Sequence, residues 1–305
     1  MNHYLDFAKE LSLILSKEDI KLDEPMKKHT SFKVGGPADI LVTPKNVDEL
    51  VKVIKNCKEK KIPYFIVGFG SNLLVKDGGI RGVVIKLSNF SNIDIKDNVI
   101  KAQCGASLAK TAREALSCSL SGLEFACGIP GTIGGAIAMN AGAYGGEMKD
   151  VLCNVTILDN DGNIRTLSHD ELELGYRTSS VLKNQYIAIE CEMKLKDGEY
   201  DEIKKTIDDL MGRRAEKQPL EYPSAGSTFK RPVGYFAGKL IEDSNLKGKT
   251  IGGASVSEKH SGFIINKNKA TAKDILDLIS HVQQIVKAEF DVVLETEVRI
   301  IGEEI

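Results

Sequence analysis

The segment Gly128–Glu147, GIPGTIGGAIAMNAGAYGGE, restricts the fold more than any other part of this chain. It holds glycines at 128, 131, 134, 135, 142, 145 and 146. Each interior glycine costs about 0.5–1 kcal/mol relative to alanine, so a purely structural segment has little reason to accumulate them. A loose loop does not fit either, because Ile129, Ile133, Ile137 and Met139 are apolar. Backbone without Cβ atoms allows a flat or phosphorylated ligand to come close, and the segment reads as a binding surface. A second glycine stretch, GFGSNLLV from Gly68, follows the apolar run Tyr64–Val67. Position 73 is Leu, so the G-x-G-x-x-G dinucleotide fingerprint fails. A turn of this kind still exposes backbone N–H groups, with Ser71 and Asn72 beside them. That suits a pyrophosphate, and it also suits a plain turn at a strand exit. Two such segments in one chain fit two parts of one large cofactor. Without a Rossmann signature, a flavin dinucleotide in another fold is the expected ligand.

Composition removes other classes. The 305 residues correspond to two to three domains. Hydrophobic residues are 42% and charged residues 28%, ordinary for a globular protein with real cores. Net charge is −2, from 41 basic and 43 acidic residues, which argues against a nucleic-acid partner. The first twenty residues mix Asp6, Lys9 and Glu10 into apolar positions and read as an amphipathic helix, not a signal peptide. No apolar run approaches the ~20 residues of a membrane span. Six cysteines at 57, 104, 118, 127, 153 and 191 include no CxxC pair, so reduced thiols in a cytosolic protein are expected, with neither a disulfide framework nor a metal site.

Periodicity gives the element order. Residues 37–75 read as strand, helix and strand, with Asn46 and Glu49 set to cap a helix carrying Leu50, Val51, Ile54 and Cys57. Strands are expected in GVVIKL, NVIKAQCG and YIAIECEMKL, and a helix in SLAKTAREALSCSL. A hairpin is expected to turn at Asp161-Gly162. A charged helix then follows a break near Lys196–Asp201. The last helix places Ile275, Leu278, Ile279, Val282, Ile285 and Val286 on one face, and VVLETEVRIIGEEI reads as a closing strand. The class is α+β.

Six stretches in fixed order carry a resemblance: TSFKVGGPAD, GFGSNLLV, GIPGTIGGAIAMNAGAYGGE, GYRTS, AGSTFKRP and LETEVRIIG. From about Thr30 to Gly302 the chain resembles the UDP-N-acetylenolpyruvoylglucosamine reductase family, in its shorter form without an inserted tyrosine-bearing loop. The resemblance implies a two-subdomain FAD-binding fold of the vanillyl-alcohol-oxidase type plus a C-terminal α+β substrate domain. The expected boundaries are 1–90, 91–200 and 201–305. It implies non-covalent FAD, NADPH as reductant, and a cytoplasmic reaction that reduces a UDP-linked enolpyruvyl ether for peptidoglycan synthesis. No membrane and no obligate protein partner are implied.

Residue by residue, the family's arginine falls on Arg177, its proton-donating serine on Ser227 and its glutamate on Glu297. Ser224 and Thr228 are competing hydroxyls, and Glu295 competes with Glu297 from the same strand face. Cofactor contacts are expected at Gly68, Phe69, Gly70, Ser71, Asn72 and Leu73. The second stretch adds Gly128, Pro130, Gly131, Thr132, Gly134, Gly135, Asn140, Gly142 and Ala143. Substrate contacts are expected at Tyr176, Lys217, Lys230, Lys239 and Asn266. Lys230 is also placed to assist the serine. Arg231 departs from relatives that carry Asn after the Lys, and His260 reads as structural. The rivals are an FAD-dependent oxidase of the same fold, which would turn over with oxygen alone, and a non-catalytic nucleotide-sugar binder, which would be colourless.

Overall fold

The computed structural model describes residues 2–305. They form two compact units. The first comprises the chain up to Ile20, then Leu41–Gly68 and Val84–Arg214; the second comprises Lys21–Ile40, Phe69–Val83 and Ala215–Ile305. The strands Pro37–Val42 and Ile80–Lys86 each begin in the second unit and end in the first.

In the first unit a five-stranded antiparallel sheet runs in the order Ile164–Ser168, Leu152–Leu158, Ile187–Lys194, Val99–Gln103, Ile93–Lys96. The hairpin between Leu158 and Ile164 turns at Asp161-Gly162, as the sequence predicts. Gly162 has φ +89°, and one oxygen of the Asp159 carboxylate accepts from the N–H groups of Asp161 and Asn163. The helices of this unit are α1 (Asn2–Leu11), α2 (Val47–Glu59), α3 (Leu108–Ser117), α4 (Ile133–Ala138), α5 (Ser180–Lys183) and α6 (Tyr200–Lys217), the last turn of α6 passing into the second unit. Alternate sheet residues Ile100, Ala102, Val155, Ile157, Cys191 and Met193 are buried in one core with Leu108, Ala112 and Ala115 of α3 and Ile133 and Ile137 of α4. Period-2 strands facing period-3.6 helices account for that core. Asn46 caps α2 by accepting from Glu49 N–H at 2.9 Å. The charged helix α6 contributes Ile203 and Ile207 to the same core.

In the second unit a three-stranded antiparallel sheet, Thr250–Ile251, Ala254–Val256 and Ile264–Asn266, packs with α7 (Ala237–Asp243) and α8 (Ala272–Phe290). The α8 face expected from periodicity is buried at Ile275, Leu278, Ile279, Val282 and Val286, with Ile285 partly buried against it. Thr271 and Asp274 form a capping box at its start. The Asp77 carboxylate adds bonds from the N–H groups of Ala272 and Lys273, both 2.9 Å, on the electropositive end of the helix.

One expectation is corrected. The closing strand covers only Arg299–Ile301, paired in parallel with Leu73–Val75. Residues 292–298 are not a strand; their one strand-type pairing is the isolated bridge of Thr296 to Phe229. Glu295 and Glu297 therefore flank a single bridge instead of sharing a strand face. Among the described residues no helix is long and apolar enough to cross a membrane.

Candidate active site

In the first unit Gly68, the last residue before the chain passes into the second, meets the second glycine segment at Thr132. A Cβ on Gly68 would lie 2.4 Å from Thr132 Oγ1, so the absent side chain is what admits Thr132 there. Thr132 caps the short helix α4 by accepting from Gly135 N–H at 3.2 Å. Gly134 N–H donates to Cys104 carbonyl at 2.8 Å, an approach that leaves only 3.0 Å for a Cβ. A Cβ on Gly142 would strike Glu147 Cγ at 2.6 Å in the hairpin Gly142–Ala143/Gly146–Glu147. Gly135 differs: it is exposed, and its Cβ would meet only Thr132 Oγ1 at 3.4 Å. Pro130 is exposed, and Gly128 and Gly131 are half-buried. Several glycines thus allow the backbone to fold tightly, and Gly135 leaves an open face. A flat ligand fits such a surface.

Asn140 lies at φ +41° and is buried, so its amide is not available to a ligand. Its Nδ2 donates to Glu147 Oε2 at 2.9 Å and to Gly175 carbonyl at 3.1 Å, and its Oδ1 accepts from Lys149 N–H at 2.9 Å. Gly175 opens the turn Gly175–Thr178, closed by Gly175 N–H to Thr178 O (3.1 Å) and Thr178 N–H to Gly175 O (3.3 Å). Arg177 sits in that turn at φ +55°, a left-handed conformation that favours glycine. Its guanidinium carbon lies 5.2 Å from the ring centre of exposed Tyr176. Ser179 Oγ donates to Ala138 carbonyl at 2.9 Å, so both flanks of the arginine turn are tied to the end of α4. The Glu147 carboxyl is held below its ordinary range, chiefly by the hydrogen bond from Lys149, with Asn140 and the charge of Arg177 adding to it.

Arg214 is a residue that sequence reasoning missed. Its side chain packs against Gly128, where a Cβ would lie 2.8 Å from its Cδ. Burial lowers its pKa, and among the described residues no carboxylate pairs with it. A desolvated cation beside the glycine segment attracts an anionic group. Its position in a charged helix makes it look like solvated surface. The sequence signal is Gly128, expected as a cofactor contact, whose missing side chain makes room for the long arginine.

The second unit holds the other half of the expected residues. Gly70 lies at φ +64°, with His29 carbonyl 2.0 Å from where a Cβ would be. Phe69 is exposed, Ser71 and Asn72 are half-buried, and Leu73 is buried at the start of its strand. Asn72 Nδ2 donates to Glu297 carbonyl at 3.2 Å, and Asn72 carbonyl accepts from Arg299 N–H at 3.0 Å. Ser227 is half-buried and follows Gly226, at φ +77°. The Ser227 loop and the Glu297 loop are laced together: Glu297 N–H donates to Thr228 carbonyl and Lys230 N–H to Glu295 carbonyl, both at 2.8 Å. Asn72, Ser227 and Glu297 therefore belong to one local cluster.

The expected substrate residues divide. Lys230 Nζ is ion-paired with Glu295 Oε2 at 2.9 Å, on the exposed side of the loop. Lys239 Nζ pairs with Asp243 at 2.5 Å along α7. Asn266 is buried, donating to Phe32 carbonyl and accepting from Ala270 N–H, so it joins backbone segments. Lys217 is exposed at the end of α6. Arg231 stacks on Phe236, 3.9 Å from its centre. His260 takes a bond from Gly262 N–H on Nδ1, and burial lowers its pKa, in keeping with a structural part.

Two family descriptions match the chain: "FAD binding domain" over residues 38–168, and "UDP-N-acetylenolpyruvoylglucosamine reductase, C-terminal domain" over 218–301. The chain is 60% identical over 302 residues to the UDP-N-acetylenolpyruvoylglucosamine reductase of Clostridium perfringens, covering 99% of each. It is 60% identical over 304 residues to that of Clostridium kluyveri, covering 100% of each. The chain belongs to the UDP-N-acetylenolpyruvoylglucosamine reductase family. A crystal structure of the Thermus caldophilus reductase agrees, with 36% identity, a TM-score of 0.79, and coverage of 92% of this chain and 97% of that one. The α+β architecture is thus an FAD-binding domain followed by the reductase family's C-terminal domain. Both glycine segments lie inside the first match; Ser227 and Glu297 lie inside the second. Tyr176, Arg177, Arg214 and Lys217 fall in the stretch that neither description covers.

For a reductase of this family the Gly68–Thr132 contact predicts a clear defect. Gly68→Ala forces Thr132 aside, and Thr132 cannot move without uncapping α4. The purified variant is expected to carry well under half the wild-type flavin, read as absorbance near 450 nm per polypeptide. Gly212→Ala, in α6 with nothing within 4 Å of the added Cβ, is the control. It should keep its flavin and gain up to about 1 kcal/mol of stability.

Proposed function

We propose that this protein reduces the enolpyruvyl ether of UDP-N-acetylenolpyruvoylglucosamine to UDP-N-acetylmuramate, a precursor of peptidoglycan, using NADPH and non-covalent FAD. The observation that carries the reading is the full-length 60% identity to the clostridial reductases. We read the chain in three pieces: 1–90 and 91–200 hold the cofactor, and 201–305 receives the substrate. The cytoplasm, where NADPH and nucleotide sugars are supplied, is the compartment this chemistry needs.

The backbone of Gly68–Leu73 and of Gly128–Ala143 holds the FAD. Thr132 and Asn140 act by shaping that backbone, and Arg214 supplies a cation for an anionic group of cofactor or substrate. Bound FAD would supply the redox chemistry, the passage of a hydride from NADPH to the terminal CH2 of the vinyl ether. Negative charge then develops toward the substrate carboxylate. The guanidinium of Arg177 offers that carboxylate a planar, positively charged fork. The Glu297 carboxyl, as an acid, hydrogen-bonds the same group. Ser227 Oγ gives its proton to the adjacent carbon, which completes the C–H bond. Groups aimed at developing charge in a dry site contribute several kcal/mol each. Tyr176, Lys217, Lys230 and Lys239 are read as contacts for the uridine diphosphate; for the two ion-paired lysines this requires exchange of Glu295 and Asp243 for phosphate. Asn266 serves the substrate indirectly, by fixing the backbone around it.

The protein should be yellow, and acid should release its flavin into solution. Initial-rate plots with NADPH and the enolpyruvyl substrate varied together should give parallel lines, since one flavin site must serve both in turn. A colourless protein removes the reading. Turnover with oxygen and no enolpyruvyl substrate favours an oxidase, and intersecting lines over a wide range contradict the shared site.

A further inference from the structure

Thr228 follows Ser227 and is 1% exposed. Every polar group it carries is bonded. Its N–H donates to Gly262 carbonyl at 2.8 Å. Its hydroxyl accepts from Ile264 N–H at 3.0 Å. Its carbonyl accepts from Glu297 N–H at 2.8 Å and from Val298 N–H at 3.4 Å. Three chain segments, 226–230, 262–264 and 295–298, thus meet on one residue. Buried Phe229 continues the lacing through its bridge to Thr296. Glu297 is held from the other direction as well, since Asn72 Nδ2 donates to its carbonyl.

Ser227 and Glu297 are the two residues of this unit to which the proposed reaction assigns chemistry. Both are bound to the same residue: Ser227 through the covalent bond to Thr228, Glu297 through the hydrogen bond to the Thr228 carbonyl. A catalytic group must be held within about 0.5 Å and 10–20° of its working geometry by neighbours that are themselves fixed. A serine in a glycine-containing loop does not fix itself. Pro223 carbonyl and Lys230 N–H hold the loop on either side, and beside the serine the reference is Thr228, whose side chain anchors it to the 264 strand and whose carbonyl anchors it to the glutamate.

We propose that Thr228 is the positioning residue for the proton-transfer step. Its hydroxyl anchors the peptide that sets the spacing between the Ser227 hydroxyl and the Glu297 carboxyl. This inference rests on the proposed reductase reading. Thr228 touches neither substrate nor cofactor in this account, and it acts through the two residues it holds. A residue that only filled the core would affect stability and both half-reactions alike.

The test compares Thr228→Val, which keeps the shape and removes the acceptor, with Thr228→Ser, which keeps the hydroxyl. The holoenzyme is used throughout. With Thr228→Val, reduction of the flavin by NADPH should stay within about twofold of wild type. Its reoxidation by the enolpyruvyl substrate should slow by about 10²-fold, the size of effect a misplacement near 1 Å produces. Thr228→Ser should restore reoxidation to within about tenfold of wild type. Amide hydrogen exchange supplies a readout independent of turnover. Protection should fall at 262–264 and 295–298 in the Val variant and stay unchanged along α8. If Thr228→Val does not fold, Thr228→Ala removes the same acceptor without the branched side chain and is judged by the same criteria. Wild-type reoxidation in the Val or Ala variant overturns the proposal. So does equal slowing of both half-reactions, or unchanged exchange at 295–298. Failure of the wild type itself to be reoxidised by the enolpyruvyl substrate is a different outcome. It overturns the reductase reading, while the exchange data still decide whether Thr228 holds Glu297.

Discussion

Ser227→Ala leaves flavin reduction by NADPH near the wild-type rate and slows reoxidation by the enolpyruvyl substrate by at least about 10²-fold, the lower end of what a lost general acid costs. The two halves separate because only the second delivers a proton to a substrate carbon. An alcohol is a weak acid in water, and its use here depends on the partner. The carbanion-like intermediate is a base of strength comparable to alkoxide, and the proton need move only over a short, fixed distance. The structure ties Lys230 to Glu295 at 2.9 Å, so the assisting cation expected from the sequence is engaged elsewhere unless the substrate displaces that carboxylate. Hydride addition remains reversible in the variant, since the intermediate forms and falls back without being quenched. Ser227→Cys should retain part of the activity, because a thiol also donates a proton. Ser224→Ala is the control and should matter little. Stopped-flow reoxidation at the wild-type rate in Ser227→Ala, or a failure confined to Ser224→Ala, would assign the proton to another group.

How far the sequence carried this reading depended on the range of the interaction. The turn at Asp161-Gly162 was legible because Gly162 and the Asp159 carboxylate determine it within a few residues. The Asn46 cap and the buried face of α8 were legible for the same reason. The closing strand was not. Residues 292–298 have a strand-like composition, yet their partners are single backbone groups of the Ser227 loop, some 70 residues earlier in the chain. Local pattern carries no information about a ladder that lasts one bridge. The density of glycines is visible in the sequence, but for several the contact that requires them is internal. Gly68 yields to Thr132, Gly134 to Cys104, and Gly128 to Arg214. Asn140 and Asn266 show the same limit. Each sits in a stretch that resembles a binding motif, and each uses its amide to hold a distant carbonyl. Which polar groups face a ligand and which hold the frame is decided by long-range contacts.

Arg177→Gly is expected to lose catalysis while keeping its fold, and the two effects have separate causes. Arg177 occupies φ +55°, where a side chain costs about 1–2 kcal/mol that glycine does not pay. Glycine in turn gives the unfolded chain more freedom, a loss of about 0.4–1 kcal/mol. The contact with the exposed Tyr176 ring is worth about 0.5–1 kcal/mol at such a site. These largely offset one another, and losing the Arg177 charge beside Glu147 adds a cost, so the melting temperature should fall by no more than several degrees. Flavin content should hold too, because Gly175 carbonyl and Ser179 Oγ both fasten the turn. Reoxidation by substrate should nevertheless fall by at least about 10²–10³-fold, the cost of removing one donor aimed at developing charge. Arg177→Lys keeps the charge but loses the planar fork, and it retains the strained φ, so it should lie between the two in activity and below Arg177→Gly in stability. If Arg177→Gly instead unfolds or arrives without flavin, the arginine belongs to the scaffold, and the cation for the substrate carboxylate must be sought elsewhere, with Arg214 the first candidate.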